Sequence, residues 1–233
     1  VSRGLRSLAA VAVVVGVIAL AFAWFNRDDV PDPAPPTESR PKVERDVQPF
    51  PADMPAEGMY VASDVAADGS VEVSTWIRAA QPVEQLSMTT TDPDLLPGSV
   101  ESLDLVVRSM DGKMLAHRDT VGTNPQTIRL RQAATELYFS YTVDGAMDSA
   151  SPTVPGRTLA RVLAMDVDYD GSGGTVRRLV SGPGTVLNVA CLDPSQDFDA
   201  VPLPCGQPTG DGDWVVDLTG AQRQDRLLAS LEG

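Results

Sequence analysis

The chain has 233 residues, and its 32 Asp and Glu against 18 Lys and Arg give a formal charge of −14 with a single histidine. That balance excludes a nucleic-acid binder, which needs a Lys/Arg footprint to displace counterions from phosphates, and it excludes attachment to anionic lipid through a basic patch. One histidine and two cysteines exclude a structural zinc site built within one chain.

Arg3 and Arg6 lie in the first seven residues, and Leu8 to Phe25 (LAAVAVVVGVIALAFAWF) follows without a charge. At about 1.5 Å per residue the run spans ~27 Å, close to the ~30 Å hydrocarbon core of a bilayer. Trp24 and Phe25 fall where interfacial aromatics sit, and Arg27, Asp28 and Asp29 come next. The positive-inside rule predicts a cytoplasmic N-terminus (1–7), a transmembrane signal anchor (8–25) in the lipid bilayer, and an extracytoplasmic remainder. Val1 reads as a translated GTG start in a bacterial gene rich in Ala, Val, Asp and Arg codons. The rival reading is a cleaved signal peptide, for which Ala19-Leu20-Ala21 and Ala21-Phe22-Ala23 offer small-x-small sites. Against it, the apolar run passes through both sites without a polar region and exceeds the usual ~7–15-residue core. No cysteine precedes Cys191, which argues against a lipoprotein. Both readings place the remaining chain outside the cytoplasm.

Residues 26–58 are predicted to be a Pro-rich acidic linker. Pro31, Pro33, Pro35, Pro36, Pro41, Pro49, Pro51 and Pro55 stand among charges with almost no apolar periodicity. Such a segment buries too little to offset its ordering entropy, so it reads as a disordered or polyproline II spacer.

Residues 59–233 carry the rest of the acidic excess and are long enough to build an independent core. Their periodicity is that of strands. Val71, Val73, Thr75 and Ile77 alternate with Ser70, Glu72, Ser74 and Trp76. Ser102 to Val107 repeats the pattern before Asp111-Gly112, a strong hairpin signal. Lys113 to Val121, Thr127 to Leu130, Glu136 to Val143, Leu159 to Tyr169, Thr175 to Val180, Thr185 to Ala190 and Trp214 to Leu218 complete the series. About ten short strands at roughly 8–12-residue spacing predict an all-β fold, an antiparallel β-sandwich. A barrel, or two smaller sandwiches split near residues 149–156, are the alternatives. Thr135 to Val143 (TELYFSYTV) resembles an immunoglobulin- or fibronectin-like strand, a resemblance that implies a corner hydrogen bond from Tyr138. Only the C-terminus reads as a short helix: Thr219 and Gln222 have capping-box spacing, and Leu227, Leu228 and Leu231 form an apolar stripe.

Cys191 and Cys205 are the only cysteines, both in the exported part, and an even count there predicts a disulfide closing the loop between them. A stapled loop on a rigid sheet also makes this the predicted contact surface. Asp166, Asp168 and Asp170 before Gly171 match the opening of a calcium loop, because alternating oxygen ligands suit a hard cation. Arg177 stands at the twelfth position, where an EF-hand needs glutamate, and no entering helix is predicted. The plainer reading of the same residues is the solvent face of a strand running into a Gly-Ser-Gly-Gly turn. Asp211 and Asp213 form a second acidic turn able to add ligands if folding brings it near. His117, with Asp119 two residues on, is the single imidazole, and no nucleophile motif or metal-binding His pair accompanies it.

These features predict a single-pass membrane protein whose extracytoplasmic domain binds or scaffolds, with another envelope protein as partner and no cofactor. The alternatives are an envelope hydrolase using carboxylates or Ca2+ on the same scaffold, and a secreted, calcium-stabilised adhesion module.

Overall fold

The structure, a computed structural model, describes residues 46–90, 100–148, 156–194 and 202–232. The predicted membrane span at 8–25, the linker as far as residue 45 and the alternative split at 149–155 lie outside the described residues. Among the described residues no helix is long and apolar enough to cross a membrane. Residues 44–233 form one compact unit.

The unit is all-β. Its strands in chain order are β1 (Gly58–Val65), β2 (Val71–Thr89), β3 (Glu101–Ser109), β4 (Met114–Val121) and β5 (Gln126–Asp144). There follow β6 (Met147–Asp148), β7 (Arg157–Ala160), β8 (Asp166–Asp168), β9 (Thr175–Ser181) and β10 (Val186–Leu192). The series ends with β11 (Leu203–Pro204), β12 (Gln207–Pro208), β13 (Trp214–Leu218) and β14 (Arg226–Glu232). A large sheet runs β12-β13-β9-β1-β2-β5-β3-β4, with β8 paired to β2, and a small sheet runs β11-β10-β14-β7-β6.

The two sheets are arranged as a sandwich because each has one apolar face. Val61 of β1, Val73 and Ile77 of β2, and Phe139 and Tyr141 of β5 share one buried cluster with Val189 of β10 and Leu227, Ala229 and Leu231 of β14. Each Val, Leu, Ile or Phe among them contributes about 1.5–3 kcal/mol by leaving water. The Asp111-Gly112 hairpin forms as expected. Gly112 adopts φ 88°, Ser109 N–H donates to the Lys113 carbonyl at 3.0 Å, and Ser109 Oγ donates to the Asp111 carboxylate.

Several expectations are corrected. The C-terminal helix is not formed: residues Gly220–Gln224 make a single 3-10 turn, and Arg226–Glu232 is strand β14. Leu227, Ala229 and Leu231 are buried in alternation, so pairing to β10 and β7 satisfies both backbone and side chains. The Leu227, Leu228, Leu231 spacing fits a helix equally well on paper, but a helix would leave β10 and β7 unpaired on those edges. The sheets are also not wholly antiparallel, because β1 and β9 pair in parallel. The chain leaves the large sheet after β5, runs through β6 and β7 of the small sheet, and returns beside β1. Leu159 to Tyr169 splits between sheets for the same reason, with β7 in the small one and β8 in the large one. Thr127 to Leu130 and Glu136 to Val143 belong to one strand, β5, interrupted by register shifts against β2. The Tyr138 hydroxyl meets Ser74 Oγ at 3.1 Å across the neighbouring strand, in place of an immunoglobulin-like corner bond.

β1, absent from the predicted series, lies at the heart of the large sheet. It starts at Gly58, where φ is 129° and an added Cβ would sit 2.0 Å from the Thr175 carbonyl oxygen. Only glycine allows β1 and β9 to begin side by side.

The outer face of the large sheet is covered by residues 46–57. Tyr60, Trp76 and Tyr138 lie in register on three adjacent strands, and Val47, Phe50 and Met54 pack against them. Trp76 meets Tyr60 edge-on at 5.8 Å between centroids and Tyr138 at 5.4 Å. Trp76 Nε1 donates to the Gln48 carbonyl at 3.0 Å, and Arg78 lies 4.4 Å above the Phe50 ring. Arg177 fastens the strap by charge. It donates to both carboxylate oxygens of Asp217, at 2.6 and 2.7 Å, and to Asp53 Oδ2 at 3.2 Å.

Truncating Trp76 removes the middle of this layer, so Trp76→Ala is expected to lower unfolding free energy in urea by about 3–5 kcal/mol. The hydrogen bond from Arg177 holds the Asp217 carboxyl below its ordinary pKa, with the guanidinium charge adding to it. A carboxyl with a depressed native pKa stabilises the fold above its unfolded pKa of about 3.9 and loses that contribution as pH falls through the native value. Asp217→Asn is therefore expected to be less stable than the native chain at neutral pH. The gap should close through the acidic limb of a pH-dependent urea series.

Candidate functional site

The predicted disulfide forms. Cys191 on β10 and Cys205 just after β11 are bonded, with Cα atoms 5.7 Å apart. β11 is a two-residue strand on the edge of the small sheet, with Leu203 opposite Cys191 and Pro204 opposite Ala190. Two more bonds hold this corner: Cys205 N–H donates to the Val189 carbonyl at 3.0 Å, and Trp214 Nε1 donates to the Cys205 carbonyl at 2.8 Å. Leu203 cannot reach the core from this position. It is 69% exposed, and with Leu159 at 38% it makes up the exposed large hydrophobics among the described residues.

Between this corner and the 3-10 turn runs a groove of about 740 Å3. Leu192, Leu203 and Pro204 give one wall an apolar character, while Asp193, Arg223 and Asp225 line it with charge. Burial pushes the Asp225 carboxyl up, reinforced by nearby Asp193 and opposed by Arg178. An apolar lip above partly desolvated charges is what a protein contact requires, because one side chain can anchor there while the rim selects its partner by charge.

The remaining candidates are placed as follows. Asp166, Asp168 and Asp170 lie on and after β8, whose Asp166 and Asp168 pair with Thr89 and Ser87 of β2. Asp168 Oδ1 accepts from the Tyr169 N–H at 2.9 Å and from Ser172 Oγ, holding the glycine turn that follows. Asp166 lines a cavity with Arg178, and Asp170 is exposed. Among the described residues no three His, Cys, Asp or Glu side chains are grouped so as to hold a metal ion. Asp211 and Asp213 form the turn before β13, where burial, then Asp211 and Asp64, raise the Asp213 carboxyl above its usual range. His117 lies on β4 with Nε2 3.6 Å from Asp119 Oδ1, and the Asp119 side chain is 92% exposed, so water competes for that contact.

One candidate residue escapes motif reading. On β9, Val176, Arg178 and Val180 share the inward face, so a guanidinium occupies a core position and is 6% exposed. The signal was present in the alternation of TVRRLV, where one of two adjacent arginines must point inward with the valines. Burial pulls the Arg178 pKa below the usual guanidinium value, and Asp166, Tyr141 and Asp225 oppose the shift, so the group stays charged. The Tyr141 hydroxyl is held by its own contact, accepting from the Met165 N–H at 2.8 Å.

Opening the Cys191–Cys205 loop in a Cys191→Ser, Cys205→Ser variant is expected to lower stability by about 3 kcal/mol on loop-closure grounds. The far-ultraviolet dichroism of the sheets should be retained, because the apolar cluster shared by the sheets does not depend on the bond. Urea unfolding of both forms measures the difference.

The chain matches no protein-family model, and no curated protein matches it. Among solved structures, an aminopeptidase N family protein from Idiomarina loihiensis is similar at a TM-score of 0.42 and 16% identity. The likeness covers 73% of this chain and 29% of that one, so the chain spans under a third of that protein's length. A similarity of this size carries no argument about activity or partners.

Proposed function

We propose that this chain is a membrane-anchored extracytoplasmic binding or scaffolding protein of a bacterial envelope, and that the disulfide corner is its contact surface. The observation that carries the contact surface is Leu203: an apolar side chain, 69% exposed, pinned on a disulfide-braced edge beside a large groove. Loops that need a covalent brace to present an apolar residue to water make sense as recognition elements. The net charge of −14 favours a partner with an apolar residue inside a basic rim, since opposite fields speed encounter and suppress wrong pairings.

The membrane anchor rests on the sequence, through the uncharged run from Leu8 to Phe25 and the arginines before it. Paired cysteines fit an oxidising compartment. Because residues 46–57 pack on the domain, the spacer in this reading is residues 26–45, a reach of roughly 60 Å at ~3.1 Å per residue. The domain would work at a bounded height above the bilayer.

Fractionation combined with in-cell photo-cross-linking tests both halves. The chain should stay with membranes after an alkaline wash. A photoreactive residue at Pro204 should give a discrete product that is lost with Leu203→Asp, while one at the exposed Glu72 of β2 should give none. Loss of one anchoring contact of this type corresponds to about 2 kcal/mol or more of binding free energy. A washed-off chain would overturn the anchor, and equal products from both positions would overturn the contact surface.

A further inference from the structure

A second cavity, about 220 Å3 in volume, opens beside the groove and has Arg178 in its lining. It adjoins the docking groove, with which it shares Pro194, Arg223 and Gln224, and the rest of its lining comes from β1, β2, β8 and the inner face of β9. Arg178 is nine-tenths buried, yet its Nε–H finds no hydrogen-bond partner among the described residues. The same is true of Arg223 Nε, which lines this cavity, and of Arg226 Nε, which lines a water-sized neighbouring pocket that Arg178 also reaches. Three unpaired guanidinium N–H donors thus gather around adjoining cavities in a molecule of −14 charge with 18 basic residues in all.

That concentration is costly unless something answers it. A buried, unpaired donor forfeits about 1–3 kcal/mol, more when charged. Evolution of a stable core alone would replace such a residue with an apolar one, since buried charges are often neutral or worse for stability. A guanidinium presents two parallel N–H groups matched to a carboxylate, and the resulting charge-assisted pair is among the strongest in proteins.

We propose that this cavity binds a small monocarboxylate, its oxygens received by Arg178 and Arg223 and its short apolar body lying against Met59 and Val176. The volume falls below the ~300–1,000 Å3 of drug-sized sites, which limits the ligand to a few carbons or to the terminal residue of a longer chain. Met59 and Val176 are buried and give the cavity an apolar wall. Asp166 and Asp168 in the same lining set the charge limit, because they repel a dianion such as phosphate more than a monoanion. Ser87 and Thr89 on β2 add hydroxyl donors at the mouth. The carboxylate has two sources with the same chemistry, a free short-chain acid or the C-terminus of a peptide ending in a small apolar residue.

Calorimetric titration of the full chain with butyrate tests the site, with butyramide as the neutral isostere. N-acetylvaline and its amide form the chain-terminus arm, and inorganic phosphate the dianion arm. The native chain should bind butyrate or N-acetylvaline saturably and neither amide, with whichever acid binds tighter identifying the source. Arg223→Gln, on the half-exposed turn, should weaken binding about tenfold or more with unchanged dichroism, as loss of one charge-assisted pair implies. Arg178→Met, which keeps the core apolar, should abolish it; if that variant does not fold, Arg223→Gln decides alone. Absence of saturable binding by either acid, equal binding of the amides, tighter binding of phosphate, or undiminished binding in Arg223→Gln would each overturn the proposal.

Discussion

The structure depends on one constraint: the first half of β1, a central strand, is buried on both faces from Met59 to Val61, so both faces must be covered there. The inner face is covered by the small sheet, which meets Met59, Val61 and Val65 within the common apolar cluster. Among the described residues no second sheet or helix covers the outer face, and uncovered Tyr60, Trp76 and Tyr138 would be an exposed aromatic band. Residues 46–57 supply that cover. A Pro-rich segment suits the task, because its backbone is already extended and loses little entropy on docking. Its polar groups are met one at a time, by Trp76 at Gln48, by Arg78 at Pro55 and by Arg177 at Asp53.

The same constraint explains what could be read from the chain and what could not. The alternation of Val71, Val73, Thr75 and Ile77 was legible because those residues face a core that obeys period two, and so was the Asp111-Gly112 turn. Trp76 fell on the polar side of that pattern, and its burial depends on a segment more than twenty residues earlier that carries no strand periodicity. β1 was missed because Met59, Tyr60 and Val61 are buried in succession, which removes the alternation on which strand recognition rests. The C-terminus was misread because Leu227 and Leu231 fit a helical stripe with Leu228 and a strand's alternation with Ala229, and only the unpaired edges of β10 and β7 decide between them. The disulfide was legible from cysteine count alone.

Arg178 belongs to a different class. Its neighbours Val176 and Val180 specify an inward-facing position, and nothing local explains why arginine fills it. Two carboxylates, Asp166 and Asp225, balance part of its charge. Its sequence neighbour Arg177 faces outward and is fully occupied by Asp217 and Asp53. Adjacent arginines on one strand therefore have opposite placements: Arg177 closes the strap over the outer face, and Arg178 lines a cavity within the inner one. A single-residue register slip of β9 would exchange them, burying the strap's clamp and exposing the cavity's donor. Parallel pairing with β1 from Thr175 onward, begun at Gly58 where no larger residue fits, prevents that slip.

The geometry of the small sheet's edge bears on how a partner would be held. A long free edge invites another chain to add a strand through backbone hydrogen bonds, a mode with little side-chain selectivity. Here the edge is β11, two residues long, ending in Pro204 and tied back through Cys205 to β10 and Trp214. Proline offers no N–H, and so short a strand gives no ladder to extend. What the edge does present is the Leu203 side chain and the groove beneath it. A partner docking at this corner would therefore be selected by side-chain fit and charge, with the backbone withdrawn from the contact. The disulfide stabilises the domain, and it also holds an apolar residue outward against its tendency to fold back.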